Sequence, residues 1–205
     1  MFEKTNYIEI SGEKYPIKCD ILVLERIQDK YEDLSEFENG LNGFTPAVDE
    51  NGEYKRNEEG RLVGFYGEPK IETLRDALEW MVQEGIEIER ENGKEIQEVS
   101  GKTLTRKVDM APKELAEILH AEFARCFRRK NPKTTQREKK GERINFAWVI
   151  FTGMQIGYTE KEIAHMYFGK WADLFKEFKR MHNYKMKRMI FEEEKKCGIP
   201  SWIYK

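Results

Sequence analysis

A chain of 205 residues with 36% charged, 39% hydrophobic and 12% aromatic side chains is too aromatic to stay disordered and too charged for a membrane protein. No apolar run approaches the roughly 20 residues needed to cross a bilayer, and the start MFEKTNYIEISGEKY has no basic n-region or apolar h-region, so a cytoplasmic protein is expected. The length suits one domain with a full core or two small ones.

In chain order, NYIEISGEKYPIK alternates around Ser11-Gly12-Glu13-Lys14 and predicts a short β-hairpin, with Pro16 favouring an edge. Asp20 can cap a helix over ILVLERIQDKYED, whose Ile21, Leu24, Ile27 and Tyr31 fall on one side. Residues 40–69 break into a Gly- and Pro-marked loop. Asn51-Gly52 is a type I′ turn signal there, and Leu62 to Tyr66 suit a strand. The glycines match no phosphate-binding spacing.

Thr73 and Asp76 predict the cap of a helix that buries Leu74, Ala77, Leu78 and Met81 and stops at Gly85. GIEIERENGKEIQEVSG then predicts a second hairpin around Asn92-Gly93. Pro112 fits the first turn of a helix with Leu115, Leu119, Phe123 and Cys126 or Phe127 inside.

Residues 129–143 are polar, basic and without apolar period, and predict a flexible linker. It separates an N-terminal unit, 1–128, from a C-terminal helical extension, 144–205. Residues 1–127 carry 17 Lys+Arg against 29 Asp+Glu; residues 128–143 carry 8 against 2, and residues 144–205 carry 11 against 7. The acidic front and basic back can attract each other or serve different partners.

In the extension, an apolar run from Ile144 to Ile156 ends at Gly157, and Thr159-Glu-Lys-Glu162 is a capping box that starts a new helix. Beyond Gly169, Trp171, Leu174, Phe175, Phe178 and Met181 form one stripe, with Lys176, Glu177, Lys179 and Arg180 opposite. Three such helices cannot bury so many rings among themselves, so the surplus must rest on another domain, a copy of the chain or another protein, and the stripe is the candidate partner-binding surface. A helix is expected to continue with Met186, Met189 and Ile190 inside, and to stop at Gly198 and Pro200, with Trp202 and Tyr204 docking back.

The architecture expected is therefore mainly α with small β-hairpins. Cys19, Cys126 and Cys197 show no Cys-x-x-Cys spacing, and His120, His165 and His182 form no metal-ligand pattern, so no metal or other cofactor is expected. No nucleophile elbow or activated cysteine is apparent, which argues against an enzyme. GYTEKEIAHM suits the first helix of a helix-turn-helix, but the second would have to present Trp171, Leu174 and Phe175 to base edges, which packing explains better.

KYPIKCDILVLERIQDKYEDLSEF, then LRDALEWMV and MAPKELAEIL, resemble the N-terminal domain of the tail assembly chaperones of long-tailed phages and prophages. INFAWVIFTGMQIGYTEKEIAHMYFGKWADLFKEFKRMHN resembles the C-terminal extension of the longer chaperone product. The stretches near 40–70 and 86–108 depart from that pattern. The resemblance implies a non-enzymatic protein that keeps the tape measure protein from aggregating and recruits tail tube subunits. It also implies absence from the finished virion, while the residues themselves point to no specific nucleic-acid or membrane partner and leave self-association open. Residues 144–205 hold 13 of the 25 aromatics and five of the eight methionines, an adaptable surface suited to such a client. The alternative is a helix-turn-helix-like DNA-binding or other small phage regulatory protein.

Overall fold

A computed structural model describes residues 4–129 and 143–182. Among them are eight helices and two antiparallel hairpins, the mainly helical architecture expected. The first hairpin pairs β1 (Asn6–Ile10) with β2 (Glu13–Ile17). Ser11 and Gly12 form its two-residue turn with both φ angles positive, 50° and 76°, the type I′ geometry that matches strand twist. Ile8, Ile10, Tyr15 and Ile17 point inward.

Asp20 caps α1 (Ile21–Tyr31) by accepting from the Val23 N–H at 3.1 Å. A second short helix, α2 (Leu34–Asn42), follows; Asp33 caps it, and Phe37 and Leu41 are buried. The central element is α3 (Ile71–Glu91), a 21-residue helix that packs on β2, α1, α2, α4 (Gly101–Lys107) and α5 (Pro112–Cys126). Pro112 begins α5 as expected, and Leu115, Leu119, Phe123 and Cys126 line its inner face.

The α3 geometry corrects three expectations. Its N-cap is Lys70, so Thr73 lies inside the helix, buried against Gly40. Asp76 is drawn instead to Lys30 and to the Tyr31 hydroxyl, 2.8 Å away. The helix does not stop at Gly85, and no hairpin forms at 86–99. Gly85 sits where β2 crosses the helix, and a Cβ there would lie 2.4 Å from the Pro16 carbonyl oxygen. It is a contact point rather than a terminator, and Ile86 and Ile88, expected on a strand, are buried on the last turns of α3.

Residues 44–66 form a projecting arm. β3 (Phe44–Pro46) pairs with β4 (Gly64–Tyr66), and isolated bridges join Val48 to Tyr54 and Arg56 to Leu62. The arm is a tandem eight-residue repeat, AVDENGEY followed by KRNEEGRL. In each copy an Asx side chain opens the turn: Asp49 Oδ1 accepts from Asn51 and Glu53 N–H, and Asn57 Oδ1 accepts from Glu59 and Arg61 N–H. Gly52 and Gly60 close the turns with φ of 81° and 76°. Asn51 keeps a negative φ, so the turn is three residues long rather than the expected type I′. Ala47, Lys55 and Val63, one repeat apart, close a ring of backbone hydrogen bonds: Ala47 N–H to Val63 O, Val63 N–H to Lys55 O, and Lys55 N–H to Ala47 O, all 2.8–2.9 Å.

The C-terminal stretch contains α6 (Phe146–Ile156), α7 (Glu160–Ala164) and α8 (Phe168–His182). Gly157 ends α6 at φ 106°, and the Thr159–Glu162 capping box is formed in both directions. The stretch rests on the N-terminal elements at several points. The Gln28 side chain clamps Ile144, donating to its carbonyl at 2.9 Å and accepting from its N–H at 2.7 Å. Ile21 N–H donates to Met166 O, and Tyr167 OH donates to the buried Glu122 carboxylate at 2.8 Å. Gly169 lies so close to Arg128 that a Cβ would approach its carbonyl to 2.1 Å. Side chains of both stretches share one buried apolar cluster. The expected linker is almost wholly outside the described residues, as are the expected helix beyond His182, Cys197 and the docking of Trp202 and Tyr204.

Candidate functional site

The predicted stripe divides in two on α8. Trp171 and Phe175 are 1% and 2% exposed. Their rings stack 5.3 Å apart, Trp148 of α6 meets both edge-on, and the Trp171 indole N–H donates to Val149 O at 3.0 Å. A side chain this enclosed cannot anchor a partner on the outside, so these two leave the candidate surface. The reason is tertiary: α6 supplies an aromatic wall at the i, i+4 positions that a partner helix would otherwise fill. Leu174 and Phe178 are half-buried, and Met181 is 70% exposed. Leu174 lies at the edge of the core cluster, to which Phe178 and Met181 do not belong.

The sequence reading missed two further apolar surfaces. Phe151 and Met154, at i and i+3 on α6, are exposed. The apolar run had concealed them, because a helix apolar on all sides gives no period from which to read its outer face. The arm exposes Val48, Tyr54, Val63, Phe65 and Tyr66, with Ile71 close behind in sequence. Beside its base is an open groove lined by Leu41, Tyr66, Pro69, Lys113, Ala116 and Glu117. Asp49, Glu50, Glu53, Glu58 and Glu59 outnumber Lys55, Arg56 and Arg61 on the arm, where Arg61 pairs with Glu59 at 3.2 Å.

Of the basic residues near the expected linker, Arg129 is paired with Asp173 at 2.9 Å. Cys19 and Cys126 are buried free thiols, and burial pushes Cys19 well above the usual thiol range, with neighbouring Cys126 adding to it. His120 lies 3.2 Å from Glu38, and His182 Nδ1 lies 2.9 Å from Phe178 O.

His165 is different. It is buried at the C-cap of α7 between Asp20, which caps α1, and Glu84 of α3. Its Nδ1 is 2.5 Å from Glu84 Oε1 and 3.5 Å from Asp20 Oδ2, and its Nε2 is 3.9 Å from Glu91 Oε2. The Asp20 and Glu84 carboxylates raise the imidazole to about 10 against the cost of burial. Burial pushes the Asp20 carboxyl up to about 7; His165 pulls it down, and the adjacent Glu84 adds to the rise. These three residues are the one group among the described residues whose donor atoms, all within 4.8 Å of one another, could hold a metal ion. No spacing signal could have announced them, since His165 and Glu84 are 81 positions apart.

No helix among the described residues is long and apolar enough to cross a membrane. No protein-family model, no curated protein and no solved structure matches the chain.

Proposed function

We propose that this protein is a tail assembly chaperone of a long-tailed phage or prophage, which holds the apolar helices of the tape measure protein in the host cytoplasm and brings tail tube subunits to it. The observation that carries the reading is the exposure of large adaptable side chains on helices whose own core is already complete. Phe151 and Met154 project from α6 and Met181 from α8, while Trp148, Trp171 and Phe175 fill the interior between those helices. Met and Phe on helix surfaces suit an amphipathic helical client, because the thioether and ring adapt to many apolar partners. The client surface in this reading is Phe151, Met154, Leu174, Phe178 and Met181. The arm, with Phe65 and Tyr66 exposed at its base, is assigned to tube subunits or a second copy.

The helix-turn-helix reading has less support. The α8 face that would have to meet base edges carries Trp171 and Phe175, and both are core.

Co-expression with the tape measure protein from the same tail gene cluster tests the proposal. The expected result is that the client moves from the pellet to the supernatant and co-purifies with this chain. A client that stays in the pellet, or is equally dispersed without this chain, contradicts it.

A further inference from the structure

The cluster of Asp20, Glu84 and His165 has features that an ion-paired histidine alone does not explain. The first is its poorly satisfied oxygens. Glu84 Oε2 has no hydrogen-bond partner among the described residues and Asp20 Oδ2 has only the ion-pair contact to His165 Nδ1 at 3.5 Å, although the two side chains are 1% and 0% exposed. Buried carboxylate oxygens are otherwise satisfied by donors or by a cation. The second is the ring orientation. His165 turns Nδ1 to the two carboxylates and Nε2 toward Glu91, which matches a ligating imidazole whose outer nitrogen faces a carboxylate. The third is charge. Two carboxylates, a neutral imidazole and a divalent ion sum to zero, so a bound ion leaves no net charge in the interior.

We propose that Asp20, Glu84 and His165 bind one divalent transition-metal ion of the zinc type, through His165 Nδ1 and one oxygen of each carboxylate, with water in the fourth position. A donor set that includes an imidazole nitrogen suits zinc or cobalt better than magnesium or calcium, which prefer all-oxygen shells. Binding releases to solvent the proton held between His165 Nδ1 and Glu84 Oε1. Those atoms then part from 2.5 Å toward the roughly 3.3 Å separation of two ligands on a tetrahedral ion with bonds of about 2.0 Å. Of the three carboxylates that face the ring, only Glu91, bridged to Lys161 at 2.5 Å, is partly exposed to solvent. The ion would join the N-terminus of α1, the middle of α3 and the α7–α8 turn. Its role is structural, independent of the chaperone reading.

The test uses the full chain, stripped with a chelator and titrated with Zn²⁺ alone, beside Glu84→Gln, Asp20→Asn and Glu91→Gln. Asp20→Asn keeps the helix-capping oxygen, and both Gln variants keep the side-chain size. The expected result is one zinc per chain and a raised thermal midpoint. Affinity should be about 100-fold or more weaker in Glu84→Gln, and about tenfold weaker in Glu91→Gln, which removes only the outer carboxylate. Wild-type chain that binds no zinc, or binds it no more tightly than Glu84→Gln, overturns the proposal. Should the ligand variants fail to fold, the X-ray absorption spectrum of the zinc-loaded wild type decides. A nitrogen and oxygen shell with a single imidazole supports the site, and a shell containing sulfur or several imidazoles overturns it.

Discussion

The molecule has two aromatic-rich regions that meet opposite fates. On α6 and α8, Trp148, Trp171 and Phe175 close on one another, and the Trp171 N–H is satisfied by Val149 O. On the arm, Tyr54, Phe65 and Tyr66 are exposed, with the Phe44–Tyr66 ring pair, 5.1 Å apart, at its base. Helices 11 and 15 residues long can lay a full stripe against each other. A β-arm whose paired strands are three residues long has no second layer on which to lay its rings. Aromatic content alone therefore does not distinguish core from contact surface; the size of the opposing layer does.

The largest expected effect lies in the ring cluster between α6 and α8. Trp171→Ala removes a buried ring and its hydrogen bond to Val149 O, and should lower folding stability by about 3–5 kcal/mol in a denaturant titration. A loss below about 1 kcal/mol would place the ring on the surface and dissolve the contrast with the arm. Next comes the crossing of β2 over α3. Gly85→Val drives a side chain into the Pro16 carbonyl and should cost about 3 kcal/mol, at the upper end of overpacking because a backbone atom is struck.

A smaller effect comes from the pair joining α1 to α3. Burial raises the Asp76 carboxyl, but Lys30, Tyr31 and Arg75 outweigh it, and the net shift is downward. A depressed carboxylate contributes stability that is present above its unfolded value of about 3.9 and is lost as pH falls through the lower folded value. Asp76→Asn should therefore cost about 1.5–2 kcal/mol at neutral pH and flatten the acid limb of the stability curve. An unchanged acid limb would remove Asp76 from that role. Smallest of all, Phe65→Ser and Tyr66→Ser should each shift stability by no more than about 0.5 kcal/mol, measured by thermal unfolding. A larger loss would mean that the arm packs after all.

Local signals were legible where the cause is local. The Asp20 cap, the Pro112 start, the Gly157 stop and the Thr159–Glu162 box each act within one turn of helix, and each stands where its residues predict. The failures have tertiary causes. Gly85 carries the same local signature as a helix terminator, but it is fixed by a strand that crosses α3. Asp76 has the same local signature as a capping partner, but it answers to Lys30 from another helix. The stripe on α8 was legible as a stripe, whereas its division into buried Trp171 and Phe175 and exposed Met181 depends on where α6 ends up. The His165 cluster gathers residues from three distant elements and leaves no spacing to read.

The central claim is that the α6–α8 core and the client surface are separate sets of residues on the same helices. It is tested most directly by co-expressing the tape measure protein with a Phe151→Ser/Met154→Ser double variant and recording client solubility beside the thermal midpoint of the variant alone. The client is expected to return to the pellet while the midpoint stays within a few degrees of wild type. A client kept as soluble as by the wild-type chain would contradict it.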